Sequence, residues 1–234
     1  VMADLDSRLH TFRPALAEMK LQGRVDAKEF VEGVAMEVVV PIATLHREAS
    51  PNSMQTTQAL RGERLAAFEA TSEWVWGQRM RDGYVSYIAK AAISAELTNP
   101  THRVSVPATF LYPLPDMKSQ PPISLPMNAR LEIVESGEKF SKLSNGYYVF
   151  TKHIRPLNEA EADFVGVAEK FLDVPYYWGG KTSQGLDCSG LVQTSLEACG
   201  IFSPRDTDMQ ETQLGQSLLI NDLDGLRLCA MPFQ

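Results

Sequence analysis

Two glycine turns spaced about one small domain apart constrain this chain most. Asp82-Gly83 sits between Glu73-Trp74-Val75-Trp76-Gly77-Gln78 and Tyr84-Val85-Ser86-Tyr87-Ile88-Ala89-Lys90. Asn145-Gly146 sits between Phe140-Ser141-Lys142-Leu143 and Tyr147-Tyr148-Val149-Phe150-Thr151-Lys152. Asp-Gly and Asn-Gly suit the positive φ of a tight hairpin turn, and the flanking residues favour strands. Gly83 to Gly146 is 63 residues, Lys90 to Lys152 is 62, and Arg64-Leu65 to Arg130-Leu131 is 66. A near-constant offset predicts an internal repeat of short strands, each copy closing as a small β-barrel. One continuous β domain is the competing reading.

The bulk numbers narrow the class. A chain of 234 residues holds one large domain or two to three small ones. Its formal net charge of -7 argues against nucleic acid and against anionic membrane surfaces as partners. Cys188, Cys199 and Cys229 form no C-x-x-C, so neither a disulfide framework nor a structural metal site is expected. No cofactor is implied. No apolar run approaches ~18 residues, so no membrane-spanning helix is expected. The start, Val1-Met2-Ala3-Asp4-Leu5-Asp6, lacks a basic stretch followed by an apolar one. That predicts a cytoplasmic location for the chain as given, unless a leader was removed earlier.

The expected organisation is an N-terminal arm or short helix over 1–35, two β units over 36–97 and 98–157, and a helical part over 158–234. Asn158 is the expected N-cap of a helix running to about Leu172, with Phe164, Val167, Ala168 and Phe171 on one face. A second helix is predicted to start at Cys188 and to end at Gly200, a C′ glycine. A cysteine in a first helical turn after a glycine-rich loop is placed to become a thiolate, because the free N–H groups and the dipole favour negative charge. Gly190 then leaves room for a substrate backbone. Asp187 opposes a thiolate by charge, so it is expected to serve as the N-cap or to face a cationic substrate group. Cys199 falls on the apolar helix face and reads as core, and Trp74 and Trp76 read as barrel packing.

Pro175-Tyr176-Tyr177-Trp178-Gly179-Gly180, followed by Gly185-Leu186-Asp187-Cys188-Ser189-Gly190-Leu191-Val192, resembles the NlpC/P60 cysteine-peptidase signature. The resemblance implies an α+β fold: two small SH3-like β-barrels followed by a partial papain-like NlpC/P60 domain. It implies that Cys188 is the nucleophile and that the substrates are murein stem peptides, cut between γ-D-glutamate and a diamino acid. It further implies that Asp187 and Ser189 hold the free amine of an N-terminal L-alanine and that Tyr176 lines the site. Tyr84 and Tyr87 are candidates for the aromatic contribution of the first SH3-like unit. Nothing in the sequence indicates the oligomeric state.

The same resemblance implies a histidine base from a sheet after the nucleophile helix. His10, His46, His102 and His153 all precede Cys188, and Leu223 to Gln234 do not read as that sheet. His153, at a strand exit, is expected to face solvent. The chain as given is therefore expected to be inactive, with the buried face of its Cys188 helix under-packed and its site poorly ordered. A non-catalytic wall-peptide binder is the alternative. Another reaction on the same thiol scaffold, such as amide hydrolysis or acyl transfer to a lipid, is a third.

Overall fold

A computed structural model describes residues 5–120 and 122–215. The fold is a strand-rich α+β assembly. Cys229 lies outside the described residues.

The polar start is not the expected arm or short helix. It carries β1 (Phe12–Arg13), β2 (Leu16–Glu18) and β3 (Glu29–Val31), hydrogen-bonded in that order. Strands of two or three residues are too short to show an alternating period. Tertiary burial holds them instead: Leu16 packs with Phe68 and Trp76 of the neighbouring sheet.

That sheet has seven strands: β4 (Val34–Val38), β5 (Ile42–His46), β6 (Gln55–Leu60), β7 (Arg64–Ala70), β8 (Trp74–Arg79), β9 (Val85–Ala89) and β10 (Ile93–Ser94). Their order is β10-β4-β7-β8-β9-β5-β6. Alternation decides which side is inward. Ala43 and Leu45 of β5 are buried while their neighbours are half-buried, and Leu45 joins Val38, Val75, Ile88 and Ile93 in one core.

The second β unit comprises β11 (His102–Val104), β12 (Ala108–Tyr112), β13 (Ile123–Pro126), β14 (Arg130–Leu131), β15 (Ile133–Glu135), β16 (Phe140–Leu143), β17 (Tyr148–Phe150) and β18 (Ile154–Pro156). They form sheets ordered β14-β11-β18 and β13-β12-β17-β16-β15 around Val104, Leu111, Leu125, Leu143 and Val149. The two units repeat one plan. Gly83 (φ 75°) and Gly146 (φ 87°) turn the β8–β9 and β16–β17 hairpins. Each hairpin is followed by a single 3-10 turn, Lys90–Ala92 or Thr151–His153. A short strand then pairs back antiparallel on the first strand of its unit, β10 on β4 and β18 on β11.

The remaining elements are α1 (Phe164–Glu169), β19 (Lys181–Thr182), β20 (Gly185–Leu186), α2 (Cys188–Ala198) and α3 (Thr207–Gln213). The α1 helix starts later than Asn158. Asp163 is its N-cap, accepting from the Val165 N–H at 3.0 Å. The backbone before it is committed elsewhere. Arg103 donates to the Glu159 carbonyl at 2.7 Å, and the Glu161 N–H donates to the Ala198 carbonyl at 2.9 Å.

The α2 helix is not under-packed. Nine of its eleven residues are buried. Val167 and Phe171 cover one side together with Met127 of the second β unit. Asn128 donates to the Thr194 carbonyl at 3.0 Å, and Arg103 donates to the Glu197 and Ala198 carbonyls at 3.0 and 2.6 Å. Gln193 donates to Asp82 of the first β unit at 2.9 Å. The two barrels thus cover the α2 surface that was expected to be left open.

A buried ionic network joins the first barrel to the helical part. Arg79 lies 3.2 Å from Glu63 and 3.5 Å from Asp82, and Lys181 lies 3.9 Å from Glu63 and 3.7 Å from Glu197. Burial alone would raise the carboxyls of Glu63 and Asp82, but Arg79 and Lys181 outweigh it and hold both below the usual carboxylate range. Burial, aided by Arg79, pulls Lys181 down to about 8.

Candidate active site

The position of Cys188 is built from one close backbone approach and one backbone-to-carboxylate hydrogen bond. Gly190 sits against the loop before α2, where an added Cβ would lie 2.1 Å from the Gly180 carbonyl oxygen. Its absent side chain therefore serves this contact rather than room for substrate. Gly179 has φ 74°, and its N–H donates to Asp187 Oδ2 at 2.8 Å. This hairpin-and-loop platform leaves Cys188 exposed as the first residue of α2. Cys188 Sγ lies 3.4 Å from Thr207 Oγ1, at the start of α3.

Asp187 caps α2 by accepting from the Gly190 N–H at 2.6 Å. Its cationic partner is internal. Arg205, 1% exposed, donates to both carboxylate oxygens at 3.0 and 2.7 Å and to Ser189 Oγ at 2.7 Å. Both oxygens of Asp187 are occupied, and Ser189 is buried behind the thiol. The pair holds the turn that carries Cys188, and both oxygens of Asp187 are already engaged within the fold.

A cavity of about 760 Å³ opens in front of Cys188. All six residues singled out from the sequence line it: Cys188, Asp187, Ser189, Tyr176, Tyr84 and Tyr87. Tyr176 is 66% exposed at the rim. Tyr87 accepts a hydrogen bond from Arg13 at 2.5 Å, and that guanidinium lies 4.2 Å above the Trp76 ring. Trp76 is buried, as expected of barrel packing, yet also lines the cavity. Tyr84 is 5% exposed and donates to Asp206 Oδ2 at 3.0 Å; burial first, then Asp206, pushes its hydroxyl well above the usual range.

The acidic end of the cavity was not legible as a site. Arg8 donates to Asp206 Oδ2 at 2.9 Å, to Asp208 at 3.0 and 2.7 Å, and to Asp6 at 2.7 Å. Those bonds hold the Asp6 and Asp208 carboxyls below the usual carboxylate range. Among the described residues, Asp206 Oδ1 has no hydrogen-bond partner and is left to the cavity. The Arg205-Asp206-Thr207-Asp208 run signalled acidity, but nothing in sequence linked it to a residue almost 200 positions earlier.

No histidine among the described residues lines the cavity. His153 is bonded to Thr109 Oγ1 at 2.8 Å on the second barrel, and His10 to the Asp6 carbonyl at 3.0 Å. Cys199 is half-buried against the α1–α2 core.

This arrangement, a thiol leading a helix that is docked on SH3-like barrels, defines a class of protein. Residues 173–224 match the NlpC/P60 family model, and residues 45–93 match the bacterial dipeptidyl-peptidase SH3 domain. The thiol-bearing part is thus similar to NlpC/P60 proteins, and the first β unit ahead of it is similar to a bacterial SH3 domain. The chain is 27% identical over 179 residues to a gamma-D-glutamyl-L-lysine dipeptidyl-peptidase of Bacillus cereus, covering 66% of this chain and 53% of that protein. It is 26% identical to one of the same description from Bacillus subtilis, covering 71% and 60%. The chain thus spans between half and two thirds of the length of these relatives. A gamma-DL-glutamyl hydrolase of Bacillus subtilis is 40% identical over 82 residues, 33% of this chain and 20% of that one. The crystal structure of an NlpC/P60 family protein from Bacillus cereus shares the fold, with a TM-score of 0.67 at 20% identity over 80% of this chain and 79% of that one.

Proposed function

We propose that this chain binds and cleaves bacterial wall stem peptides at the bond between γ-D-glutamate and a diamino acid, with Cys188 as the nucleophile. The observation that carries this reading is one cavity lined both by an exposed thiol at a helix N-terminus and by a carboxylate oxygen, Asp206 Oδ1, that has no partner among the described residues. The thiolate would attack the scissile carbonyl, expel the diamino acid's amine and leave a thioester for water to hydrolyse. Asp206, supported by Tyr84, takes the free amine of an N-terminal L-alanine, the part assigned from sequence to Asp187 and Ser189. Those two hold the nucleophile's turn. The names of the two Bacillus relatives, which describe a dipeptidyl-peptidase acting at γ-D-glutamyl-L-lysine, support the substrate class.

General-base help is typically worth ~10²–10⁴ in rate, and a helix terminus offsets less than tenfold of such a loss. With no histidine lining the cavity among the described residues, the 234-residue polypeptide is expected to bind these peptides but to turn them over slowly. The test compares L-Ala-γ-D-Glu-L-Lys with its N-acetyl form, by calorimetry and by product formation, with Cys188→Ala as control. Preference for the free amine, with any turnover lost in the control, supports the reading. Equal binding of both peptides would sink amine recognition, and turnover that survives Cys188→Ala would sink the nucleophile. Binding with no turnover at all is the result that favours the non-catalytic reading.

A further inference from the structure

A second cavity, of about 410 Å³, lies at the opposite end of α2 from Cys188. An eleven-residue helix is about 16 Å long, so this cavity is distinct from the thiol site. Three parts of the chain meet in it. Arg81 comes from the β8–β9 turn, Arg103 and Arg130 from β11 and β14, and Glu197 from the last turn of α2.

Its charge does not balance. Three guanidiniums face one carboxylate in the lining, and that carboxylate is shared. Glu197 pairs with Arg81 at 2.5 Å and also lies 3.7 Å from Lys181. Arg103 spends its donors on the carbonyls of Glu159, Glu197 and Ala198, which bring no full negative charge. Burial lowers the Arg103 guanidinium below its ordinary value, with Glu197 and Glu161 opposing that fall. Arg130 makes no side-chain hydrogen bond or ion pair with any described residue. This local excess of positive charge stands out in a chain of net charge -7.

Two further features point to a ligand rather than to solvent alone. Asn128 lines the same cavity, is 2% exposed, and leaves its Oδ1 with no partner; as an acceptor it would take an N–H or O–H from the body that carries the anion, not the oxyanion itself. On the other wall Ile201 and Phe202 are 46% and 55% exposed. A cationic floor beside an apolar wall suits an oxyanion carried on an apolar or peptide body.

We propose that this junction is a second binding site, for a carboxylate or phosphate oxyanion, with Arg130 as its principal anchor. The guanidinium fork matches either group, and Arg81 and Arg103 add long-range attraction. The site bridges the first barrel, the second barrel and the thiol-bearing part, so an occupant would hold all three.

Ligand titrations followed by two-dimensional NMR test this with three probes: inorganic phosphate, acetyl-D-Ala-D-Ala and its C-terminal amide. The expected result is millimolar or tighter binding of at least one anion, no binding of the amide, and shifts centred on Gly200, Ile201 and the Arg81 turn. Arg130→Gln should weaken that binding at least tenfold, and Arg130→Lys should restore part of it. Binding of the carboxylate peptide identifies a peptide terminus as the source, and binding of phosphate alone identifies a phosphate group. No binding of either anion up to about 10 mM overturns the proposal. So does binding unchanged by Arg130→Gln, which marks an adventitious ion elsewhere. Arg130 is half-buried and unpaired, so its substitution should leave the fold intact; an unchanged spectrum away from the junction checks this.

Discussion

At the residue scale the decisive pair is Asp187 with Arg205. A buried carboxylate beside a thiol should oppose thiolate formation, yet here its charge is spent on a guanidinium that is 1% exposed. Breaking a buried pair by removing one partner leaves an uncompensated charge, and such losses typically run ~3–5 kcal/mol. Arg205→Met is therefore expected to destabilise by about that much in denaturant unfolding. The double variant with Asp187→Asn is expected to lose less than the sum of the singles. Arg8 makes a second prediction. It depresses the carboxyls of Asp6 and Asp208, so the stability they contribute is present above their unfolded value of 3.8 and is lost as pH falls through the lower folded value. Arg8→Gln removes the depression, and its acid-unfolding midpoint is expected at a higher pH than wild type, read by circular dichroism.

At the element scale, α2 explains most of the site. Its cap, its glycine and its C-terminal Gly200 were all legible, because caps and turn glycines depend on residues a few positions apart. The function of Gly190 was not, because the Gly180 carbonyl that it touches belongs to another segment. A Cβ at 2.1 Å from a backbone oxygen cannot be absorbed by a rotamer change. Gly190→Ala is expected to cost at least about 2–3 kcal/mol, in the range of overpacked cores. It is also expected to change the alkylation rate of Cys188, measured by mass spectrometry. Cys188 should be alkylated before Cys199, since it is exposed and Cys199 is half-buried. The first helix shows the opposite case. Its apolar period was real, but its start moved to Asp163 because Arg103 and Ala198 claim the backbone groups that a helix from Asn158 would use.

At the scale of the whole molecule, the network of Glu63, Arg79, Asp82, Lys181 and Glu197 welds the first barrel to the thiol-bearing part. The pH dependence follows from Lys181. Its folded value of about 8 lies below its unfolded value of 10.5, so between those values the unfolded chain binds more protons and stability rises with pH. Unfolding in guanidinium chloride at pH 7.5 and 9.5 should show higher stability at pH 9.5. Lys181→Met should abolish that difference. Cys199, whose thiol burial raises above its ordinary value of 9.0, and Tyr84, whose hydroxyl is pushed up in the fold, act in the opposite sense towards the top of this range, so both proteins are compared in a Cys199→Ala background and the range stops below pH 10.

The sequence alone determined what depends on neighbours along the chain. The two glycine hairpins, the repeated barrel plan and the capped helix led by Cys188 rest on short-range pattern, and Tyr176, Asp187, Cys188 and Ser189 lie in one contiguous motif, whereas Tyr84 and Tyr87 were candidates that only the fold brings to the same cavity. Tertiary structure alone decided the rest. It placed Arg205 against Asp187 and Arg8 against Asp206, folded the polar start into a sheet, and covered α2 with two barrels. The physical reason is that charge compensation and burial are satisfied by whatever the fold brings within a few ångströms. Residues 8 and 206 share a carboxylate–guanidinium contact that no local period, propensity or spacing encodes.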